Sequence, residues 1–344
     1  MRKLASIQTI KSVAPIEGAD RIELAHVLGW KCVVNKGQFK AGDSAVYFEI
    51  DSFLQLREQF EFLRKSCFTT SDLLGEGFRL RTQTFRGQLS QGLLLPVSSF
   101  PELTSPKIGD NVTDLLGVRK WAIRERANSD GTIIGTLPDS IPRTKETRIQ
   151  AVPELLGEFG GLDYYISTKL DDSSHSVSID ESGFHVAGHN FEYGDGSFFR
   201  FVQARRLKEK LATLVAEDLF ITENSLKTLA IQGEFCGPGI QGNRLKLNAP
   251  KWFVFTIVVN GQRVGLEQML KVCDRLGLAH VPIKETSSDL PARYPDIETV
   301  LKRAEGGKKE GIIIRPVVPV YSSLVKGPLS FKAVNNRYLL KGAK

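Results

Sequence analysis

The chain has 344 residues, a length that predicts about two domains at roughly 150 residues per domain. Hydrophobic residues make up 41% and charged residues 25%, which is ordinary for a folded protein and excludes disordered and fibrous classes. The net charge is +7, from 46 Lys and Arg against 39 Asp and Glu, and a modest basic surplus of this kind fits a polyanionic partner.

The sequence shows no sign of export or membrane insertion. Its longest apolar run, Trp252–Val259, has the length of a strand and not of a membrane-spanning helix. The first residues lack the apolar block and cleavage site of a signal peptide. The four cysteines stand far apart without a CxxC pair, so we expect reduced thiols, no zinc finger and a cytoplasmic protein, with the nucleoid or nucleus as alternatives.

Residues 1–118 predict a small β-barrel. They contain short runs rich in β-branched and aromatic residues, separated by Gly and Asp turns such as Lys40–Asp43. The runs are 32–37, 45–50, 77–82 and 92–97. This pattern favours an OB-like fold, with an SH3-like barrel as the alternative.

Residues 119–150 differ from the segments on either side and predict a linker. They include NSDG at 128–131 and two prolines, Pro138 and Pro142. Long apolar runs are few, and we expect one short strand at Thr132–Thr136.

Residues 151–344 predict an α+β domain with largely antiparallel sheets. Strand-like runs follow one another without regular βαβ alternation, at 164–170, 175–179, 184–188, 229–235, 252–259 and 311–315. Apolar residues at helical spacing predict one helix over 198–217 and a second over 266–277 that ends at Gly277.

The most informative segment is Ser167–Ser174, in which Lys169 closes an apolar strand immediately before a polar turn. A lysine that is partly desolvated at a strand end can act as an amine nucleophile. The segment alone does not distinguish this role from that of an ordinary surface lysine.

Four later segments favour the functional role of Lys169. Glu234 lies on a strand before a glycine turn, an aromatic strand follows at 252–257, Glu310 opens the strand 311–315, and Lys332 lies on a short strand near the end. In this order the segments resemble the nucleotidyltransferase motifs of ATP-dependent ligases and capping enzymes. A closer resemblance covers nearly the whole chain: the text of residues 2–52, 85–96 and 330–341 is similar to the Deinococcus/Naegleria type of ATP-dependent RNA ligase. In that family an N-terminal OB domain precedes the nucleotidyltransferase domain.

The resemblance implies roles for individual residues. Lys169 attacks the α-phosphate of ATP and carries AMP, and Lys332 neutralises charge on that phosphate, with help from Lys326. Glu234 binds the ribose, Phe255 stacks on adenine, and Glu310 binds Mg²⁺ or Mn²⁺, with Glu234 as a second ligand candidate. The remaining nucleotide-binding candidates are Arg148, in a linker phrase similar to the segment before RNA ligase catalytic domains, and His189.

The implied reaction joins a 5′-phosphate to a 3′-OH at nicks in RNA-containing duplexes, by a monomeric enzyme. On the OB domain, Arg79, Arg81 and Arg86 are candidates for contacts with RNA phosphates, because alternation places Arg79 and Arg81 on one face of a strand.

Three positions depart from the family pattern. Asp172 stands where the family has glycine, His189 where it usually has arginine, and Ser330 where some relatives have a lysine. These departures keep open a second hypothesis, a ligase-derived protein that binds RNA ends without sealing them. A guanylyltransferase is a third, which the N-terminal position of the OB domain and the Ser173–Ser174 ending of the lysine motif disfavour.

Overall fold

Short strands dominate the backbone. The structure, a computed structural model, describes residues 2–122, 131–143, 146–214, 218, 226–306 and 309–341. The strands in the first part of the chain are β1 (Ala5–Pro15), β2 (Ile22–Val27), β3 (Trp30–Asn35), β4 (Ser44–Phe48), β5 (Ser52–Gln55), β6 (Phe68–Ser71), β7 (Gly75–Arg79), β8 (Gln83–Phe85), β9 (Gln88–Ser90), β10 (Leu93–Pro96) and β11 (Arg119–Lys120).

The strands of the second part are β12 (Ile133–Thr136), β13 (Thr147–Arg148), β14 (Asp163–Lys169), β15 (Ser173–Asp180), β16 (Gly183–Ala187), β17 (Phe191–Tyr193), β18 (Leu229–Cys236), β19 (Lys251–Val259), β20 (Gln262–Arg263), β21 (Ala279–His280), β22 (Ile283–Ser288), β23 (Gly311–Pro316), β24 (Tyr321–Ser322), β25 (Gly327–Pro328) and β26 (Phe331–Val334). The α-helices are α1 (Arg64–Cys67), α2 (Ser197–Ala204), α3 (Leu207–Ala212), α4 (Leu266–Leu276), α5 (Leu290–Arg293), α6 (Ile297–Ala304) and α7 (Asn336–Lys341). No helix among the described residues is long and apolar enough to cross a membrane.

The chain divides into two compact units. The first comprises the described residues within Met1–Arg124, Gln150–Pro153 and Asn336–Lys344, and the second those within Glu125–Ile149 and Glu154–Asn335. The domain limits predicted from the sequence stay predictions.

The first unit is built from antiparallel sheets that enclose two apolar clusters. One sheet has the order β10-β4-β1-β2-β3 and the other β11-β5-β7-β6, with β8 and β9 as a separate hairpin. Trp30 and Phe48 are fully buried in its core. The C-terminal helix α7 returns to this unit, where Leu339 packs on one cluster and Asn336 accepts a 3.2 Å hydrogen bond from Gln91. This arrangement confirms the predicted OB-like domain.

The second unit contains two main sheets. The large sheet has the order β12-β17-β16-β15-β18-β19-β20, with β21 beside β19, and the second sheet has the order β13-β26-β23-β14-β22. Most strand pairs are antiparallel, and β13 pairs with β26 in parallel. The main core lies between the large sheet and helices α2, α3 and α4 and includes Trp252 and Phe198. The predicted α+β class is therefore confirmed.

The prediction of one helix over 198–217 is wrong. Two short helices occupy this region because Arg206 adopts a left-handed conformation with φ of 53°, which ends the helical path. Leu207 and Leu211 still point into the core. Residues 215–217 of that prediction lie outside the described residues. The second predicted helix is confirmed as α4, and Gly277 closes it at φ of 66°.

Candidate active site

Lys169 is held at the end of β14 against a carboxylate. Its backbone pairs with Gly311, the first residue of β23, so that Glu310 stands immediately before the neighbouring strand. The Lys169 Nζ donates a hydrogen bond to Glu310 Oε2. The two side chains are 23% and 15% exposed, which leaves this ion pair accessible from solvent. The predicted nucleophile and the predicted metal ligand are thus in direct contact.

Gly311 allows the strands at this point to approach closely. A Cβ atom added there would lie 2.2 Å from the carbonyl oxygen of Ala333 on β26. Only glycine therefore fits between Lys169 on one side and β26 on the other.

Strand register brings two of the predicted nucleotide-binding cations to the same sheet as Lys169. Arg148 on β13 pairs with Lys332 on β26, which in turn pairs with Ile313 on β23. Ile313 pairs with Ser167, two residues before Lys169 on β14. Residues two apart on a strand share a face and are separated by about 7 Å. Arg148 and Lys332 therefore face the same side of the sheet as Lys169, with Lys332 two strands and Arg148 three strands away from β14.

Glu234 contributes a carboxylate from the large sheet. Burial raises the pKa of Glu234 to about 8, with Glu310 and Asp172 adding to the rise and Lys169 opposing it. Its Oε2 atom is shielded from solvent and has no hydrogen-bond partner of good geometry among the described residues. The four side chains Lys169, Asp172, Glu234 and Glu310 thus form one electrostatically coupled group.

Asp172 points into the protein. Both of its carboxylate oxygens are shielded from solvent and receive no hydrogen bond of good geometry from the described residues. Burial raises the pKa of Asp172, and the neighbouring Cys236 thiol and Ser173 backbone oppose that rise. Asp171, in contrast, forms an ion pair with Arg244, whose side chain is 49% exposed.

Two aromatic side chains lie near Glu234. Phe253 and Phe255 are both half-buried and pack on the cluster of Leu170, Cys236 and Val281, as expected for residues on one face of β19. Phe253 is directly opposite Glu234, whereas Phe255 is the extra residue at an irregularity in the β18–β19 pairing. The sequence analysis proposed Phe255 alone for stacking, and the structure adds Phe253, which packs on the same cluster, as a second candidate.

Two other candidates lie in exposed turns. His189 lies between β16 and β17, and Lys326 lies between β24 and β25, where its φ is 52°. The arginines predicted to bind RNA belong to the first unit. Arg79 ends β7 and stacks 4.7 Å from the Trp121 ring centre, Arg81 follows two residues later, and Arg86 is exposed at the tip of the β8–β9 hairpin.

The residues present fit a divalent cation that is shared with a nucleotide. The described residues contain no group of three or more His, Cys, Asp and Glu side chains arranged to hold a metal ion. The unsatisfied oxygen of Glu234 and the carboxylate of Glu310 are nevertheless suitable oxygen ligands. Mg²⁺ typically takes one or two carboxylates and completes its shell with water and substrate phosphates.

Sequence reasoning missed the buried network around Glu146. The Glu146 carboxylate accepts hydrogen bonds from Arg315 at 2.5 and 3.2 Å and from Ser330 Oγ. Arg315 also donates to Phe255 O and Thr256 Oγ1, which links the two sheets. Glu146 and Arg315 are 169 residues apart, and no local motif predicts such a pairing.

Comparison with known proteins identifies the family of the chain. The family model of an OB-fold domain matches residues 4–97, and that of RNA ligase matches residues 162–334. No curated protein matches the chain.

Among solved structures, the chain is similar to Naegleria gruberi RNA ligase with PPi, at 34% identity and a TM-score of 0.86 over 99% of each chain. It is also similar to two mutants of that ligase. One, with ATP and Mn, is 33% identical over 99% of each chain with a TM-score of 0.85, and the other, with AMP and Mn, is 32% identical over 100% of each chain with the same TM-score. The chain therefore belongs to the ATP-dependent RNA ligase family.

Proposed function

We propose that this RNA ligase seals 5′-phosphate and 3′-OH ends through a lysyl-AMP intermediate, at nicks in duplexes whose 3′-OH strand is RNA. The observation that carries the proposal is the position of Lys169. It lies against Glu310, and Lys332 and Arg148 lie on the same face of the same sheet, two and three strands away. A nucleophilic amine beside clustered cations is the arrangement that attack on a polyphosphate requires.

In the first step the Lys169 amine attacks the α-phosphorus of ATP. A nitrogen–phosphorus bond forms, the bond from the α-phosphorus to the bridging oxygen breaks, and pyrophosphate leaves. Attack needs the unprotonated amine, so the Lys169–Glu310 ion pair must open first. Lys332 and Arg148 offset the negative charge on the phosphates, with Lys326 as a further candidate.

In the second step an oxygen of the RNA 5′-phosphate attacks the same phosphorus and releases Lys169. In the third step the 3′-OH attacks the activated 5′-phosphate, the phosphodiester bond forms, and AMP leaves. Throughout, the chain's residues position reacting groups and compensate charge.

Binding of the nucleotide and metal is assigned to the second unit. Glu310, with Glu234, would hold Mg²⁺ or Mn²⁺, which supplies charge neutralisation to the phosphates when it is bound. Glu234 is also suited to accept a hydrogen bond from the ribose, and Phe255 or Phe253 to stack on adenine. His189 remains a candidate for nucleotide contact.

The RNA duplex is assigned to the first unit. Arg79, Arg81 and Arg86 are cations on an OB-like domain, a fold that offers a nucleic-acid surface. We further propose a monomer located in the cytoplasm, where the four buried, free cysteines stay reduced.

Asp172 favours a second candidate function. A buried carboxylate beside Glu234 and Lys169 disfavours an approaching triphosphate, and this would suit an RNA-end-binding protein with weak or no sealing. The two functions differ in whether AMP becomes attached to the protein.

One experiment tests both. The full chain is incubated with ATP labelled at the α-phosphate and Mg²⁺ or Mn²⁺, beside Lys169→Ala, and then with nicked duplexes whose 3′-OH strand is RNA or DNA. We expect a covalent label that Lys169→Ala abolishes and faster sealing of the RNA strand. A parent protein that binds RNA ends without label or sealing supports the second function.

A further inference from the structure

The two-residue strand β13 is too short to hold its own register. It makes parallel backbone pairs only at Thr147–Phe331 and Arg148–Lys332. The second of these pairs places two cations side by side, which is an unfavourable cross-strand contact. An additional interaction is therefore needed to keep Arg148 where the structure has it.

Glu146 supplies that interaction. Its side chain is 12% exposed and is bound by Arg315 on β23 and by Ser330, which directly precedes β26. Arg263 adds a second positive charge, with its Nη2 atom 3.6 Å from Glu146 Oε1. Glu146 and Arg148 are two residues apart in extended chain, so their side chains lie on the same face. When Glu146 is bound to Arg315 and Ser330, the position of Arg148 opposite Lys332 is therefore fixed as well.

We propose that Glu146 is a positioning residue for lysyl-AMP formation, which acts by holding Arg148 beside Lys332. The inference rests on the proposed function, because it assigns the Arg148–Lys332 pair to the phosphates of ATP. Glu146 itself is bound by Arg315 and Ser330 and is not a catalytic residue.

Ser330 also helps to anchor Glu146. Its hydroxyl donates to Glu146 Oε2 while Arg315 donates to Oε1. One carboxylate thereby joins β13 to the two strands that follow it in the sheet, β26 and β23. Loss of either donor should loosen β13 less than loss of the carboxylate.

The test is a double-mutant cycle on the rate of single-turnover AMP attachment, measured over a range of ATP concentrations. The variants are Glu146→Gln, Arg148→Ala and the double variant. We expect each single change to lower the maximal rate about tenfold or more, and Glu146→Gln to have little further effect once Arg148 is alanine. If the fold-losses in rate of the two single variants multiply in the double variant, the two residues act independently and the proposal is overturned.

The matched control is Glu285→Gln. Glu285 is also 12% exposed and also pairs with two arginines, Arg293 and Arg303, but it lies on β22 and contacts Tyr164 and Tyr294. We expect it to lower thermal stability without changing the labelling rate of the folded protein. An equal loss of rate in this control would show that Glu146 matters only for general stability.

A readout independent of activity separates this proposal from the proposed function. Limited trypsin digestion with mass spectrometry follows cleavage after Arg148, which should be faster in Glu146→Gln than in Glu285→Gln. If the parent protein takes no label but this difference persists, the proposed function fails while the anchoring of β13 stands. If Glu146→Gln does not fold, Ser330→Ala replaces it, with an expected loss of rate of about two- to fivefold. An unchanged rate in that folded variant would contradict the proposal.

Discussion

The Asp172 carboxylate lies beside the Cys236 thiol, and burial together with this neighbouring charge raises the pKa of the thiol. The same carboxylate raises the pKa of Glu234, whereas Lys169 lowers it. Asp172 therefore adds a buried carboxyl group that glycine at this position would not have, at the site where we propose that the anionic triphosphate binds.

Replacing Asp172 by glycine should accelerate AMP attachment. The change removes a negative charge and side-chain volume near Lys169, and we expect a rate increase of about tenfold, equivalent to about 1.4 kcal/mol in the barrier. The measurement is single-turnover labelling at fixed ATP and metal. Asp171→Asn is the control, because Asp171 is paired with Arg244. A slower reaction in Asp172→Gly would mean that the carboxylate assists the reaction.

Replacing Lys169 by arginine should abolish covalent labelling while the protein stays folded. Arginine keeps the charge and the ion pair with Glu310, but its guanidinium does not deprotonate to a nucleophile. Lys208→Arg, at an exposed position of α3, is the matched control and should label normally. Label that survives in Lys169→Arg would place the nucleophile elsewhere.

The contribution of Glu146 to stability should depend on pH. Burial by itself raises the pKa of Glu146, but the guanidinium groups of Arg315 and Arg263 and the Ser330 hydroxyl lower it to about 2. A depressed folded-state pKa stabilises the protein above the unfolded value near 4.5, and this stabilisation is lost as the pH falls towards 2.

Thermal unfolding of the parent and Glu146→Gln proteins between pH 7 and pH 2.5 checks this dependence. We expect a difference of about 3 kcal/mol at pH 7, since one partner of a buried ion pair is removed. The difference should narrow below about pH 4.5. A constant difference across this range would show that the ionised form is not what stabilises the fold.

Gly311→Ala should damage both stability and labelling. The added Cβ would clash with the Ala333 carbonyl oxygen, so β23 and β26 must separate at the position that faces Lys169. We expect a loss of about 1–3 kcal/mol and a reduced labelling rate. Gly306→Ala is the control, because a Cβ there meets only Arg303 O at 3.8 Å. Chemical denaturation and labelling of both variants provide the comparison.

Arg86→Ala should weaken RNA binding without affecting AMP attachment. Arg86 is exposed at a hairpin tip, where its loss leaves packing unchanged, unlike loss of Arg79 from its stack on Trp121. We expect the salt dependence of binding to a nicked duplex to fall by about one unit of slope. Lys40→Ala, at an exposed turn of the same unit, serves as the control. An equal salt dependence of binding in Arg86→Ala and the parent would show that Arg86 does not contact the RNA phosphates.

Local sequence patterns predicted several of the strands. The runs 164–170 and 229–235 predicted β14 and β18 to within one residue at each end, because β-branched and aromatic residues favour a buried pleated strand. Strand β1, Ala5–Pro15, was not predicted, since polar residues interrupt its apolar ones. The break at Arg206 was also missed, because the apolar spacing continues through it.

The sequence by itself determined the class of both domains, since strand and helix patterns depend on residue type and on neighbours along the chain. Its ordered motifs, read through the family resemblance, also made Lys169, Glu234, Glu310 and Lys332 the predicted site residues. Only the tertiary structure decided that Asp172 faces inward and that Glu146 meets Arg315 across 169 residues. Such contacts depend on strand register between distant segments. Backbone pairing and side-chain burial set that register, and both arise only when the sheets assemble.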